Sequence, residues 1–138
     1  MSPLSTELCN CFAVRQAARR ITRLYERHLA EADLTSAQFS ILVAVCEVED
    51  ITMSELADAM GMDRTTLVRA LKPLERRQWI RTAKGSAPRQ LHLSLTPAGR
   101  RQKAVAEQCW RAAQSEFERE VGSERAERMR RDLLDLSI

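Results

Sequence analysis

The side chains of this chain best suited to metal ligation or nucleophilic attack are four cysteines, Cys9, Cys11, Cys46 and Cys109, and two histidines, His28 and His92. A structural zinc site draws its ligands from close pairs such as C-x-x-C, and no such spacing occurs. Hydrolytic catalysis needs a nucleophile, a base and an orienting group. Neither histidine neighbours a recognisable triad motif, and there is no glycine-rich phosphate loop. The expectation is reduced thiols, no metal, no cofactor and no catalytic residues, so the chain does not read as an enzyme.

What remains is cationic. The net charge is only +3, but its distribution is uneven. From Arg64 to Arg89 there are eight basic residues, Arg64, Arg69, Lys72, Arg76, Arg77, Arg81, Lys84 and Arg89, against one acid, Glu75. Residues 1–34 hold five basic against four acidic side chains, and residues 97–138 hold nine against eight. Guanidinium groups pair bidentately with phosphate and with the O6/N7 edge of guanine, so this concentration of charge points to nucleic acid.

The elements that would present these residues can be read from spacing. Over residues 7–32, Val14, Ala17, Ala18, Ile21, Leu24, Tyr25 and Leu29 recur every three to four positions between arginines, which predicts an amphipathic helix. Thr35 and Gln38 form a capping box for a second helix running to about Glu47. Thr52 and Glu55 repeat that spacing for a short helix stopping at Gly61, a residue suited to a left-handed helix end. Asp63 then caps a helix from Arg64 to about Arg77, with apolar Leu67, Val68, Leu71 and Leu74 and with Pro73 expected to bend its last turn. Beyond Trp79 the period shortens: residues 80–83 and 91–95 read as two strands joined by a basic turn containing Gly85 and Pro88. Thr96-Pro97 opens a long helix to about Val121, and Ser123 is expected to cap a final one.

Two short helices joined by a tight turn and followed by a hairpin predict a mainly α winged helix-turn-helix. The second helix of such a pair enters the major groove with its first residues nearest the base edges. Arg64, Thr65 and Thr66, followed by Arg69 and Lys72, are the expected contacts, with Ser54 at the start of the preceding helix. Lys84 and Arg89 sit where the wing meets the adjacent minor groove or backbone, while Arg76 and Arg77 fall late on the helix, near phosphate or water. Residues 35–96 are thus the expected DNA-binding region. Residues 1–34 and 97–138 form helices whose Val14, Ile21, Leu24, Val105, Trp110, Phe117, Met129 and Leu133 exceed what a small central unit can bury, which predicts a homodimer.

Taken in order, Thr52-Met53-Ser54-Glu55-Leu56-Ala57, Thr65-Thr66-Leu67-Val68-Arg69, Leu74 to Arg81 and Leu93-Ser94-Leu95-Thr96-Pro97-Ala98-Gly99 resemble the MarR family of bacterial regulators over nearly the whole chain. The resemblance implies a dimer reading a pseudo-palindrome, with terminal helices at the interface and a small ligand or oxidant altering the separation of the two lobes. It also implies a wing arginine that enters the minor groove, a position held by Arg89. The family's usual aspartate two residues earlier is replaced by Ala87, and Pro88 is expected to stiffen the loop instead.

The switch has two readings. Cys9 and Cys11 near a helix start, with Tyr25 further along, resemble the hydroperoxide-sensing branch of the family, although Arg15 stands where that branch has a second tyrosine. Alternatively a small aromatic or phenolic effector occupies a cavity between the dimer helices and the winged lobe, with His28 as a lining residue. Free cysteines also serve as small core residues. A winged helix used only for protein contacts is the remaining alternative. At 138 residues, 44% hydrophobic but 4% aromatic, the chain suits one domain with an aliphatic helical core. No stretch of about 20 apolar residues suggests a membrane span, and no signal peptide is apparent, so a cytoplasmic protein is expected.

Overall fold

The computed structural model describes residues 4–85 and 90–138; Ala87, Pro88 and Arg89 lie outside the described residues. A short 3-10 turn (Thr6–Leu8) precedes α1 (Asn10–Leu29), and a second 3-10 turn, Ala30–Ala32, leads to α2 (Ser36–Glu47). Then come β1 (Ile51–Thr52), α3 (Met53–Met60), α4 (Arg64–Arg76), β2 (Ile80–Lys84), β3 (Leu91–Leu95), α5 (Pro97–Val121) and α6 (Ser123–Leu134).

The helix starts follow the polar chemistry of their caps. The Thr35 hydroxyl accepts the Gln38 N–H at 3.1 Å while the Gln38 side chain accepts the Thr35 N–H at 3.0 Å, a complete capping box. At α3 the Thr52 hydroxyl accepts the Glu55 N–H at 3.1 Å, and Thr96 caps α5 through the Gly99 N–H at 2.9 Å. Ser123 is not a cap, contrary to the sequence expectation. The chain turns at Gly122 (φ 96°), which occupies the cap position without a side chain, so Ser123 is already helical. The long predicted first helix is likewise divided: α1 ends at Leu29 and the tighter 3-10 turn carries the chain to Asp33, whose left-handed φ of 56° reverses its direction. Pro73 does not terminate α4, which continues to Arg76.

The three strands lie in the order β1-β3-β2, both pairs antiparallel, with Ile51 opposite Leu93 and Ile80 opposite Leu95. Strand β1 was not anticipated. Its two residues are both buried and give no period to detect.

One core joins α2, α3, α4 and the sheet. Ile41, Leu42, Leu56, Leu67, Leu71, Leu74 and Leu93 are almost wholly enclosed. Leu67, Leu71 and Leu74 hold one face of α4 against this core, each contributing about 2 kcal/mol of apolar burial. Val68, expected on the same apolar face, is instead 38% exposed.

The terminal helices differ. Only Leu29 of α1, Ala126 of α6, and Gly99, Ala106 and Ala113 of α5 are buried. Val14, Val105 and Leu133 are exposed by about half, and Phe12 and Leu134 also reach solvent. Among the described residues no single helix is long and apolar enough to cross a membrane.

Candidate nucleic-acid interface

Gly61 (φ 63°) ends α3 in the left-handed conformation, and its successor Met62 donates its N–H to the Ala57 carbonyl at 2.9 Å. Two residues later the Asp63 carboxylate accepts the Thr66 N–H at 2.7 Å and fixes the start of α4. That backbone hydrogen bond, helped by the Thr66 side chain and by Arg69, holds the Asp63 carboxyl below its ordinary pKa. The turn therefore sets the angle between α3 and α4, and the cap exposes the first turn of α4.

Arg64, Thr65, Thr66, Arg69 and Lys72 are all exposed along α4. Arg64, Thr65, Val68, Arg69 and Lys72 together border a shallow groove of about 370 Å³. Val68 was missed by sequence reasoning as a member of this face because its apolar type matched the core period. Its place among polar neighbours suits contact with a thymine methyl. Ser54, in the first turn of α3, is exposed as well.

The far end of α4 is tied into the body. The Trp79 N–H reaches the Leu74 carbonyl at 3.0 Å after a left-handed Gln78 (φ 60°). Arg77, expected to face phosphate or water, is exposed but also engaged within the protein. Its guanidinium lies 4.8 Å from the centre of the Trp79 ring and donates to the Asp33 carbonyl at 2.8 Å. An aromatic face and a free carbonyl two residues and forty-four residues away satisfy it locally.

Arg81 and Lys84 project from the exposed strand β2, and none of Arg64, Arg69, Lys72, Arg81 or Lys84 enters an ion pair among the described residues. The preceding segment, residues 35–63, has the opposite character: Glu47, Glu49, Asp50, Glu55, Asp58 and Asp63, with no lysine or arginine. Where β3 hands over to α5, the chain makes a close contact. The Thr96 hydroxyl donates to the Gln78 carbonyl at 2.6 Å, and Gly99 lies against Trp79 so tightly that a Cβ would sit 2.0 Å from its carbonyl oxygen.

A larger cavity, about 810 Å³, opens between α1, α2, α3 and α5. Tyr25, Phe39, Val43, Met60 and Trp110 supply apolar walls, with Lys103 and Glu107 at its polar side. Burial pushes the Tyr25 hydroxyl up in pKa, Glu118 adds to this and Arg130 opposes it; the hydroxyl donates to the Gln114 carboxamide oxygen. His28 does not line this cavity, contrary to the sequence expectation. It stands one residue before the cavity-lining Leu29, about 100° around α1, and contacts Glu116 at 2.6 Å, a bridge that Arg27 joins at 3.5 Å. The His28 bond, followed by the Arg27 charge, holds the Glu116 carboxyl below its usual range.

Cys11 is exposed near the start of α1, and the Cys9 sulfur accepts the Phe12 N–H at 3.3 Å as the cap of that helix. Cys11 and Tyr25 lie on the same helix, roughly 21 Å apart along its axis at 1.5 Å per residue, so one chain does not bring them together. Cys46 borders the large cavity. Among the described residues no cluster of His, Cys, Asp or Glu could hold a metal ion.

Comparison with known proteins gives the arrangement a context. The MarR family model matches residues 32–89. The regulator SarZ of Staphylococcus aureus is 33% identical over 100 residues, covering 72% of this chain and 66% of its own length, just under two thirds. The Mycobacterium tuberculosis transcriptional regulator MosR, solved in complex with DNA, is 37% identical, with a TM-score of 0.84 and 92% of each chain covered. The repressor CouR of Rhodococcus jostii RHA1, solved on a 23-mer DNA duplex, shares the fold at 24% identity, a TM-score of 0.84, and 96% and 97% coverage of this chain and its own. With these relatives and with a winged helix-turn-helix flanked by helices at both ends, the chain belongs to the MarR family of transcriptional regulators.

Proposed function

We propose that this protein is a homodimeric repressor that reads a pseudo-palindromic operator in double-stranded DNA and releases it when a small aromatic or phenolic effector fills the large cavity. The observation that carries this reading is the outer face of α4, where Arg64, Arg69 and Lys72 are exposed and, among the described residues, free of ion pairs beside Thr65, Thr66 and Val68. A helix has the width to enter the major groove, where arginine reads guanine, threonine reads either edges or phosphate, and valine meets thymine methyls. Lys84, Arg89 and Ser54 are assigned to the wing and flanking contacts.

In this reading residues 35–96 form the DNA-binding unit, and residues 1–34 and 97–138 the dimerisation region. The exposed Phe12, Val14, Val105, Leu133 and Leu134 support self-association, because apolar surface of that extent favours burial against a second copy. Two α4 helices would then lie about 34–36 Å apart, one turn of the duplex. The cavity supports the effector: its aromatic walls suit a flat ring, and Lys103 suits an acidic or phenolic substituent.

Selection of bound duplexes from a random pool tests the proposal directly. Two similar half-sites with centres one helical turn apart are expected. Enrichment of nothing, or binding insensitive to salt, would point instead to a winged helix used for protein contacts.

The exposed Cys11 favours thiol sensing as a second reading. Cumene hydroperoxide should then release operator from the wild type and not from Cys11→Ser. Release from both would eliminate that role for Cys11.

A further inference from the structure

The wing hairpin has an attachment point that the DNA-contacting residues do not explain. Strand β3 pairs with β2 along its full length, from Leu95 opposite Ile80 to Leu91 opposite Lys84. Its pairing with β1 is shorter and stops at Thr52 opposite His92. His92 is therefore the last residue through which the hairpin is held on both sides. Beyond it, Lys84 and Leu91 pair only with each other.

At this boundary the His92 ring leaves the hairpin and reaches the turn between α2 and β1. Its Nδ1 lies 2.7 Å from the Asp50 carbonyl oxygen. A carbonyl only accepts, so Nδ1 carries the proton and donates. Asp50 adopts a left-handed φ of 53°, and its carbonyl is thus taken up by the hairpin rather than by the strand that follows. The opposite edge of the ring packs on Gly85. A Cβ there would stand 2.1 Å from Nε2 and 2.3 Å from Cδ2. Gly85 is not in the left-handed region, so this glycine provides space for the ring rather than an unusual backbone. The Gly85 N–H in turn donates to the Gln90 carbonyl at 2.7 Å, closing the hairpin directly beneath the ring.

We propose that His92 is a positioning residue for DNA binding: clamped between the Asp50 carbonyl and Gly85, its ring sets the angle at which the wing, with Lys84, leaves the body of the protein. The proposal rests on the reading that the wing touches DNA. A wing free to swing would spread its contacts over many orientations, and the ordering cost would fall on binding.

The test measures operator affinity by fluorescence anisotropy for five variants of the full chain. Lys84→Ala weakens binding if the wing contacts DNA. His92→Ala weakens it by about two- to tenfold, the range set by one net hydrogen bond. His92→Asn, whose amide can donate from nearly the same place as Nδ1, restores wild-type affinity. Gly85→Ala expels the ring without altering the histidine and reproduces the His92→Ala loss. In the Lys84→Ala background, His92→Ala adds less than it does alone. Wild-type affinity in His92→Ala alongside a weakened Lys84→Ala overturns the proposal and leaves the wing reading intact, as does a His92→Asn as weak as the alanine variant. An unaffected Lys84→Ala overturns the wing reading, and the proposal with it.

Discussion

A salt titration of operator binding, repeated with Lys72→Ala and Arg69→Ala, separates the two kinds of contact that α4 is positioned to make. Among the described residues, the exposed cations outside any ion pair on the face proposed to meet DNA are Arg64, Arg69, Lys72, Arg81 and Lys84. Each appears twice in the proposed dimer. If all of them met phosphate, the slope of log affinity against log salt would be about −9; with Arg64 and Arg69 on bases it falls to about −5. Between 50 and 200 mM salt, either slope removes about 10³- to 10⁵-fold in affinity. Lys72→Ala should make the slope shallower by about 2, through loss of one phosphate contact per protomer, and weaken operator and random duplexes alike. Arg69→Ala should leave the slope nearly unchanged, cost about 1–3 kcal/mol per half-site on the operator, and spare random DNA. Fluorescence anisotropy on both duplexes at several salt concentrations reads all of these quantities. A wild-type slope shallower than about −3, or equal losses for both variants on both duplexes, would refute the assignment.

Arg77→Ala should not change that slope, because the side chain is engaged by Trp79 and the Asp33 carbonyl; a slope shallower by about 2, what one phosphate contact per protomer gives, would place it on DNA after all. Gly99→Ala drives a Cβ into the backbone of Trp79, which cannot rotate away, so unfolding by urea should show a loss of about 3 kcal/mol or more. A loss below 1 kcal/mol would mean that the β3–α5 junction yields easily. The Asp63 cap should be at full strength above the ordinary carboxylate pKa of about 4 and vanish as the pH falls through its lower folded value, because the folded form favours the charged carboxylate. Asp63→Asn keeps an acceptor without a titrating proton, so acid unfolding followed by circular dichroism should lose the part of its pH dependence that Asp63 provides; an identical acid limb would assign that dependence elsewhere.

Much of the architecture was legible because it is written in local signals. Thr35 with Gln38, Thr52 with Glu55, and Asp63 with Thr66 all place an acceptor three residues ahead of the N–H it captures, and each helix begins where that spacing says. The segment Leu95 to Gly99 formed part of the family resemblance, and its parts have separate physical causes: a core leucine, a capping threonine, a proline where no N–H is required, and a glycine that the Trp79 carbonyl leaves no room to replace. What sequence could not show was which partner a side chain would find far along the chain. His28 met Glu116, eighty-eight residues away, and Arg77 met Asp33, so neither the cavity lining nor the free charge of α4 could be read from residue type alone. Val68 was misassigned for a related reason, since a helix with apolar residues at adjacent positions does not declare which one faces inward. Strand β1 escaped because its pairing is entirely long-range.

The exposed cations of α4 and β2 give this small molecule an electrical orientation. Their common sign draws a polyanion toward the outer face of α4 before contact is made. The protein is turned before any side chain touches a base. In the proposed complex, residence on the operator is decided by the groove contacts, whereas how often an encounter becomes productive is governed by this concentration of positive charge.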